Sequence, residues 1–444
     1  MPSTTAAAPG PWYATLTRTQ WKTLAAANLG WMFDGYETFA LILTVGVALR
    51  QLLEPGEFPQ IPAYAGTVIA ITLLGWGIGG IVGGILADYI GRRRTMIYAI
   101  LAYSMITGLS ALAFDWMSFA LLRFLVGIAI GSEWSTGASI TAEMWPDHAR
   151  GKGAGLMQCG LGIGFFLASL VWLYVAPFGP GAWRIMYVIG VLPALFVLWI
   201  RTGIPESEPW ERTDESRRVA RERQLGGATL GNEEQALTRF TLTDLFVDPQ
   251  NRARAVLVFL MSLTTTLAWW GISTWVPPYI GSVAAKAGLP PQQWASYAGM
   301  TYNLGAIAGY ASFGFLADRF GRKPVTMLFF AMALLLTPVL FLWTQDLSLL
   351  LTVAAINGYF SLGQYSWMPV WLPELFPTRI RATAMAFAFN APRFIAFLGP
   401  LLAGNLIVYF GGFGTAATIV AGIYVLGLAA APFLPETRGQ PLPG

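Results

Sequence analysis

Gly84-Ile85-Leu86-Ala87-Asp88-Tyr89-Ile90-Gly91-Arg92-Arg93-Arg94 closes a long apolar run with three adjacent arginines. The pattern returns as Gly314-Phe315-Leu316-Ala317-Asp318-Arg319-Phe320-Gly321-Arg322-Lys323, again at the exit of an apolar run. The spacing, 314 − 84 = 230 residues, is about half of the 444-residue chain. Six positions of G-x-L-A-D-x-x-G-R-[RK] coincide in order. A soluble enzyme has little use for such an arrangement, whereas a membrane protein made of two similar halves does.

Composition agrees. The chain is 55% hydrophobic and 11% charged, where soluble domains carry roughly 25% charged residues. This predicts a polytopic membrane protein in contact with the lipid bilayer. The net charge of +4 does not indicate nucleic acid, because the basic residues sit in loops beside apolar spans. One cysteine, Cys159, excludes an intrachain disulfide framework, and one histidine, His148, leaves no His-based metal cluster. No metal and no cofactor is expected. The first ~20 residues lack the pattern of a cleaved signal peptide, so the first span is expected to be retained.

A span needs ~20 mostly apolar residues. On that rule twelve fall at about 22–49, 63–87, 95–114, 117–142, 153–176, 183–202, 253–280, 293–317, 324–344, 347–372, 383–409 and 413–434. Backbone groups in lipid must be satisfied internally, so these are helices. Segment 203–252 is polar, and Glu206 to Gln224 within it reads as a short surface helix, with a flexible linker as the alternative. The expected division is a six-helix bundle over 1–202, a cytoplasmic linker over 203–252 and a second six-helix bundle over 253–444. Of 27 Lys and Arg, three lie in one set of loops (Arg50, Arg184, Lys286) and two inside spans (Arg123, Arg393). The rest share the side of both termini, the linker and both motifs, which is therefore expected to be cytoplasmic, in the cell (inner) membrane.

The repeat extends further. Glu143-Met144-Trp145-Pro146 through Arg150 matches Glu374-Leu375-Phe376-Pro377 through Arg381 at 374 − 143 = 231, and the halves end in Pro205-Glu206-Ser207 and Pro435-Glu436-Thr437. Parallel repeats about an axis along the membrane normal are one organisation of secondary transporters. With these motifs and Arg123-Phe124-Leu125-Val126-Gly127 in span four, the chain resembles a major facilitator superfamily transporter over essentially its whole length. Phe33-Asp34-Gly35-Tyr36-Glu37 and Gly131-Ser132-Glu133-Trp134 narrow the resemblance to bacterial metabolite:proton symporters. They are similar to the D-G-[FY]-D and G-G-E-[WY] stretches of the aromatic-acid and sialate/lactate groups, from which this chain departs at Glu37 and Ser132. The resemblance implies an all-α fold of twelve transmembrane helices in two pseudo-symmetric six-helix bundles, working as a monomer. It also implies that Arg123 and Glu133 take part in coupling or gating. A structural brace for Arg123 and an ion-pair network with loop arginines for Glu133 stay open.

Charges inside a span are costly and point to function. Asp34 and Glu37 stand three residues apart on one helix face. Two carboxylates close together in low dielectric do not both ionise easily, which is what a proton carrier needs; the alternative is a structural acid paired with an arginine of another helix. Arg393, after Pro392, is placed to hold a carboxylate by a bidentate fork, or else to pair with Asp34, Glu37 or Glu133. Asn390, Trp270, Gln364, Tyr365, Asn303 and Gln158 are further substrate-binding candidates, each also explicable as helix–helix packing. A cytoplasmic gate is expected from Gly84, Asp88, Gly91 and Arg92, from Asp318, Gly321 and Arg322, and from Glu143, Arg150, Glu374 and Arg381, with topology anchoring as the alternative. No nucleotide-binding motif is present. The chain therefore reads as a secondary transporter, not an enzyme, importing a small organic anion with protons. A sugar or other neutral-metabolite carrier and a drug exporter are the alternatives.

Overall fold

Long apolar runs that must satisfy their own backbone become helices, and in the computed structural model they do. The structure describes residues 11–443 except 194, 197, 198, 200–203 and 411, and for 403–408 the backbone alone. Among the described residues nine helices are long and apolar enough to cross a membrane, from Arg18–Leu52 to Phe413–Phe433. Three further rods bring the number to twelve. Arg92–Ser110 opens with three arginines, and Pro291–Phe320 carries Gln, Ser, Tyr and Asn among its apolar residues. The sixth begins as Ala182–Ile189, and its expected end at 202 lies outside the described residues. The signal-peptide expectation concerns a segment whose first ten residues also lie outside them.

Several spans are interrupted. The fourth runs Trp116–Gly131 and resumes as Glu133–Met144. The tenth breaks between Leu347–Ser361 and Trp367–Trp371. The seventh breaks after Gly271, and the eleventh after Asn390, where Pro392 has no N–H to give. The second span packs against Arg381–Asn390 of the eleventh, and the fifth, Arg150–Val175, against the eighth, so these pairs join the halves.

The segment between the sixth and seventh spans is helical: Glu208–Leu225, Asn232–Thr238 and Thr241–Val247. Ser207 caps the first of these by accepting from Trp210 N–H. Its buried stripe is Trp210, Arg217 and Ala220, on the face turned to the ends of the spans.

Candidate functional site

At the end that carries the repeated motifs, the two halves are tied together by matching sets of buried charges. Arg92 lies 3.0 Å from Asp88 and 3.1 Å from Glu143, and Arg381 of the second half reaches across to Glu143 at 3.1 Å. In the second set Arg322 lies 2.9 Å from Asp318 and 2.8 Å from Glu374, and Arg150 of the first half approaches Glu374 at 3.6 Å. The structure thus brings all the charged gate candidates together.

The P-E-[ST] endings complete both sets, a role their sequence position does not disclose. The Glu206 carboxylate accepts from the Arg92 and Arg93 N–H groups at 3.0 and 3.2 Å, capping the third helix. Glu436 accepts from Arg322 and Lys323 N–H at 2.9 and 3.0 Å, capping the ninth. Ser207 donates to Glu143, and Thr437 to Glu374. Gly91 and Gly321 make the turns with φ of 103° and 106°, a region that side-chain-bearing residues avoid. A Cβ on Gly91 would also stand 2.3 Å from Glu206 Oε2.

The sets differ in two places. Arg150 also pairs with Asp147, whose counterpart (378 − 147 = 231) is Thr378. Asp88 is fully buried and accepts from Thr383 N–H and Oγ1 at 2.9 and 2.6 Å, capping the eleventh helix across the junction. The counterpart of Thr383 is Lys152 (383 − 152 = 231). Its ammonium lies 2.6 Å from Asp318, whose side chain is 16% exposed. Arg217 of the linker helix donates to the Asp88 and Arg379 carbonyls, one in each half. Burial pushes its guanidinium down from the ordinary value.

The intramembrane acids do not lie as their spacing suggests. Glu37 pairs with Arg123, whose second guanidinium nitrogen donates to Ser110. Asp34 faces Glu133, which begins the second piece of the fourth span, and the two carboxyls are within hydrogen-bond reach of each other. The close carboxyl pair is therefore Asp34 with Glu133, across two helices, and not Asp34 with Glu37 along one. All four of its oxygens are buried without a donor. A proton on either group supplies the missing donor to the other. In the second half the same positions, 265 − 34 = 231 and 364 − 133 = 231, hold Thr265 and Gln364. There the hydroxyl donates to the amide oxygen at 2.7 Å.

Arg393 stands where the eleventh span breaks. It is 2% exposed and makes no ion pair among the described residues, so the expected alternative of a salt bridge to Asp34, Glu37 or Glu133 is not what the structure contains. Its guanidinium lies over the rings of Phe389 and Trp76, at 4.1 and 4.5 Å from their centroids. One nitrogen donates to the Phe389 carbonyl, and Nε has no acceptor. Trp31, Trp269, Trp270 and Tyr365 close the box, leaving a cavity of about 10 Å³. Trp31 Nε1 and Trp76 Nε1 are also without acceptors.

Of the polar candidates, Trp270 and Tyr365 line this box. Asn303 lines a small neighbouring cavity with Trp269 and Tyr302. Gln158, Gln364 and Asn390 do not line the box; their amides bond Trp134, Thr265 and the Ala386 carbonyl. Trp31, Trp76 and Phe389 are wall residues that sequence reasoning misses. For the two tryptophans the one signal is a place in mid-span, away from the interface where tryptophan is common; Phe389 carries none. Toward the end opposite the motifs lies a cavity of about 440 Å³, lined by Trp172, Trp275 and Phe413, with Trp270 shared between it and the box. That volume suits a small ligand.

A family model described as "Sugar (and other) transporter" matches residues 29–443. A putative metabolite transport protein of Haemophilus influenzae is 29% identical over 95% of this chain and 98% of its own. The cis,cis-muconate transport protein of Acinetobacter baylyi is 29% identical over 87% and 88% of the two chains. The solved proton:xylose symporter XylE, bound to 6-bromo-6-deoxy-D-glucose, superposes with a TM-score of 0.77 at 22% identity over 96% and 98% of the chains, a likeness of fold. The chain is thus a multi-pass membrane transporter and belongs to the sugar (and other) transporter family of the major facilitator superfamily.

Proposed function

We propose that the protein is a proton-coupled carrier of a small organic anion, a carboxylate, working by alternating access. The observation that carries this is Arg393: a buried guanidinium in an aromatic box with no carboxylate partner among the described residues. An uncompensated buried charge is costly, and its unpaired donors fit a ligand group that only accepts. A polyol needs acceptors too, and the box wall supplies few. The muconate relative, named for an organic acid, points the same way. The Asp34–Glu133 pair takes the proton, with Glu37 and Arg123 as the second ionisable pair. Bundles 1–202 and 253–444, joined by 203–252, rock about the box. The paired charge sets shut the cytoplasmic mouth, and both termini face the cytoplasm of a cell whose inner membrane holds the protein as a monomer.

The test is ligand binding read by tryptophan fluorescence, since four tryptophans line the box. Small mono- and dicarboxylates are expected to bind the wild type. Arg393→Ala is expected to weaken them about 100-fold, the loss of a charge-assisted contact of about 3 kcal/mol, and Arg393→Lys less. A neutral sugar binding wild type and Arg393→Ala alike, with no carboxylate bound, overturns the reading.

A further inference from the structure

We propose that Tyr103 and Thr107 of the third helix form a proton path inside the first half, joining the Glu37–Arg123 pair to the Asp34–Glu133 pair. The proposal rests on the proton-coupled reading and goes beyond it, because neither residue belongs to a pair.

The path begins at Glu37. One of its carboxylate oxygens is taken by Arg123, and Oε2 is buried without a partner. Thr107 is its neighbour: a Cβ built on Gly190 would stand 2.5 Å from Thr107 Cγ2 and 3.0 Å from Glu37 Oε2. Tyr103, Thr107 and Ser110 are spaced i, i+4 and i+7, so they share one face of the third helix. All three are fully buried. Ser110 sits at the Arg123 end of this stripe, accepting from its guanidinium. Tyr103 sits at the other end, and its helix packs against Glu133–Met144, the piece of the fourth span that Glu133 begins.

The hydroxyls of Tyr103 and Thr107 have no hydrogen-bond partner. An orphaned buried hydroxyl is destabilising, and two on one stripe ask for a reason. The second half has Ala333 for Tyr103 (333 − 103 = 230) and Leu340 for Ser110 (340 − 110 = 230). It keeps a threonine for Thr107 (337 − 107 = 230), but Thr337 donates to the Ala333 carbonyl at 2.8 Å, whereas Thr107 has no partner. At 268 − 37 = 231 and 354 − 123 = 231 it has Ala268 and Ala354. The tyrosine, and the threonine hydroxyl left without a partner, occur only in the half that holds the acids.

Ser104, beside Tyr103, is buried and likewise without a partner, while the tyrosines around the track are engaged. Tyr36 donates to the Met186 carbonyl at 3.1 Å, and Tyr187 bonds Thr44 at 3.1 Å with its ring 4.4 Å from the Arg123 guanidinium. In transfer, each hydroxyl passes on its own proton and takes another. The hydroxyls end unchanged, and one proton has moved from Glu37 to the carboxyl pair.

The experiment is infrared spectroscopy of the full protein in lipid, with D2O as the probe. The C=O stretch of the protonated carboxyl, assigned by its loss in Asp34→Asn, shifts as the proton exchanges. Tyr103→Phe and Thr107→Val are expected to slow that exchange at least tenfold, with Tm at or above the wild type's and tryptophan emission unchanged, and Thr107→Ser is expected to exchange like the wild type. Exchange within twofold of wild type in both Tyr103→Phe and Thr107→Val overturns the path. So does equal slowing in Thr107→Ser and Thr107→Val, which marks packing. Absence of any Asp34-dependent carboxyl band in the wild type overturns the coupling reading itself, and the path with it.

Discussion

Asp34 of the first span and Glu133 of the fourth place two buried carboxyls within hydrogen-bond reach, at the positions where the second half has Thr265 donating to Gln364. The neutral pair shows what the geometry accepts without a proton. A double variant, Asp34→Thr with Glu133→Gln, copies it into the first half. It is expected to fold, with Tm at or above wild type, because an unsatisfied pair becomes a satisfied one. Substrate exchange across vesicles is expected to persist, while accumulation driven by a pH gradient falls to a ratio of about 1. Gradient-driven accumulation equal to wild type would remove the pair from coupling.

The two motif aspartates are expected to differ in weight. Asp88 is fully buried between Arg92 and the capped start of the eleventh helix, whereas Asp318 is partly exposed beside Lys152. Removing one partner of a buried pair costs about 3 kcal/mol; for the partly solvated pair the figure is nearer 1 kcal/mol. Asp88→Ala should therefore raise amide exchange at residues 381–386 far more than Asp318→Ala raises it at 150–155. Equal effects would mean that the cross-half cap contributes little.

Much of the charge cluster at the motif end is legible in the sequence because its members recur at a fixed offset, and symmetry carries each contact from one half to the other. The Asp34–Glu133 pair is less so. Spacing along a chain reports neighbours on one helix, so it joins Asp34 to Glu37, while the contact that forms depends on how the first and fourth spans pack. The break at Ser132, which sets where Glu133 begins its helical piece, has no proline to announce it. Arg393 is visible as a charge in a span, with Pro392 beside it. Its box is not, because Trp31, Trp76 and Phe389 come from three spans and read singly as packing residues.

The P-E-[ST] glutamates are expected to be worth nearly the same in both halves. Each accepts two backbone N–H groups at the start of a helix that begins with basic residues. Glu206→Ala and Glu436→Ala each leave those donors uncapped, at about 2 kcal/mol. Thermal unfolding in detergent should fall by several degrees for either, and by about the sum for both, since the two sites share no residue. A drop for one variant alone would show that the repeated geometry is not repeated in energy.

Glycine at 314 sets how closely the halves meet. A Cβ there would lie 2.1 Å from the Gly151 carbonyl oxygen, which is backbone and cannot turn aside. Gly314→Ala therefore forces the fifth and eighth spans apart wherever the motif end is shut, and costs nothing once that end has opened. A penalty of even 1.4 kcal/mol on one state shifts the balance tenfold toward the other. The variant is expected to expose the amides of 148–153 to hydrogen exchange and to weaken any ligand that enters from the opposite end. Gly84→Ala, whose Cβ would meet Ala386 Cβ at 2.1 Å across the other junction, should do the same at 381–386. Gly46→Ala is the control, since nothing stands within 4 Å of the added methyl. Protection at 148–153 unchanged in Gly314→Ala would mean that the fifth and eighth spans part by less than a methyl group during transport.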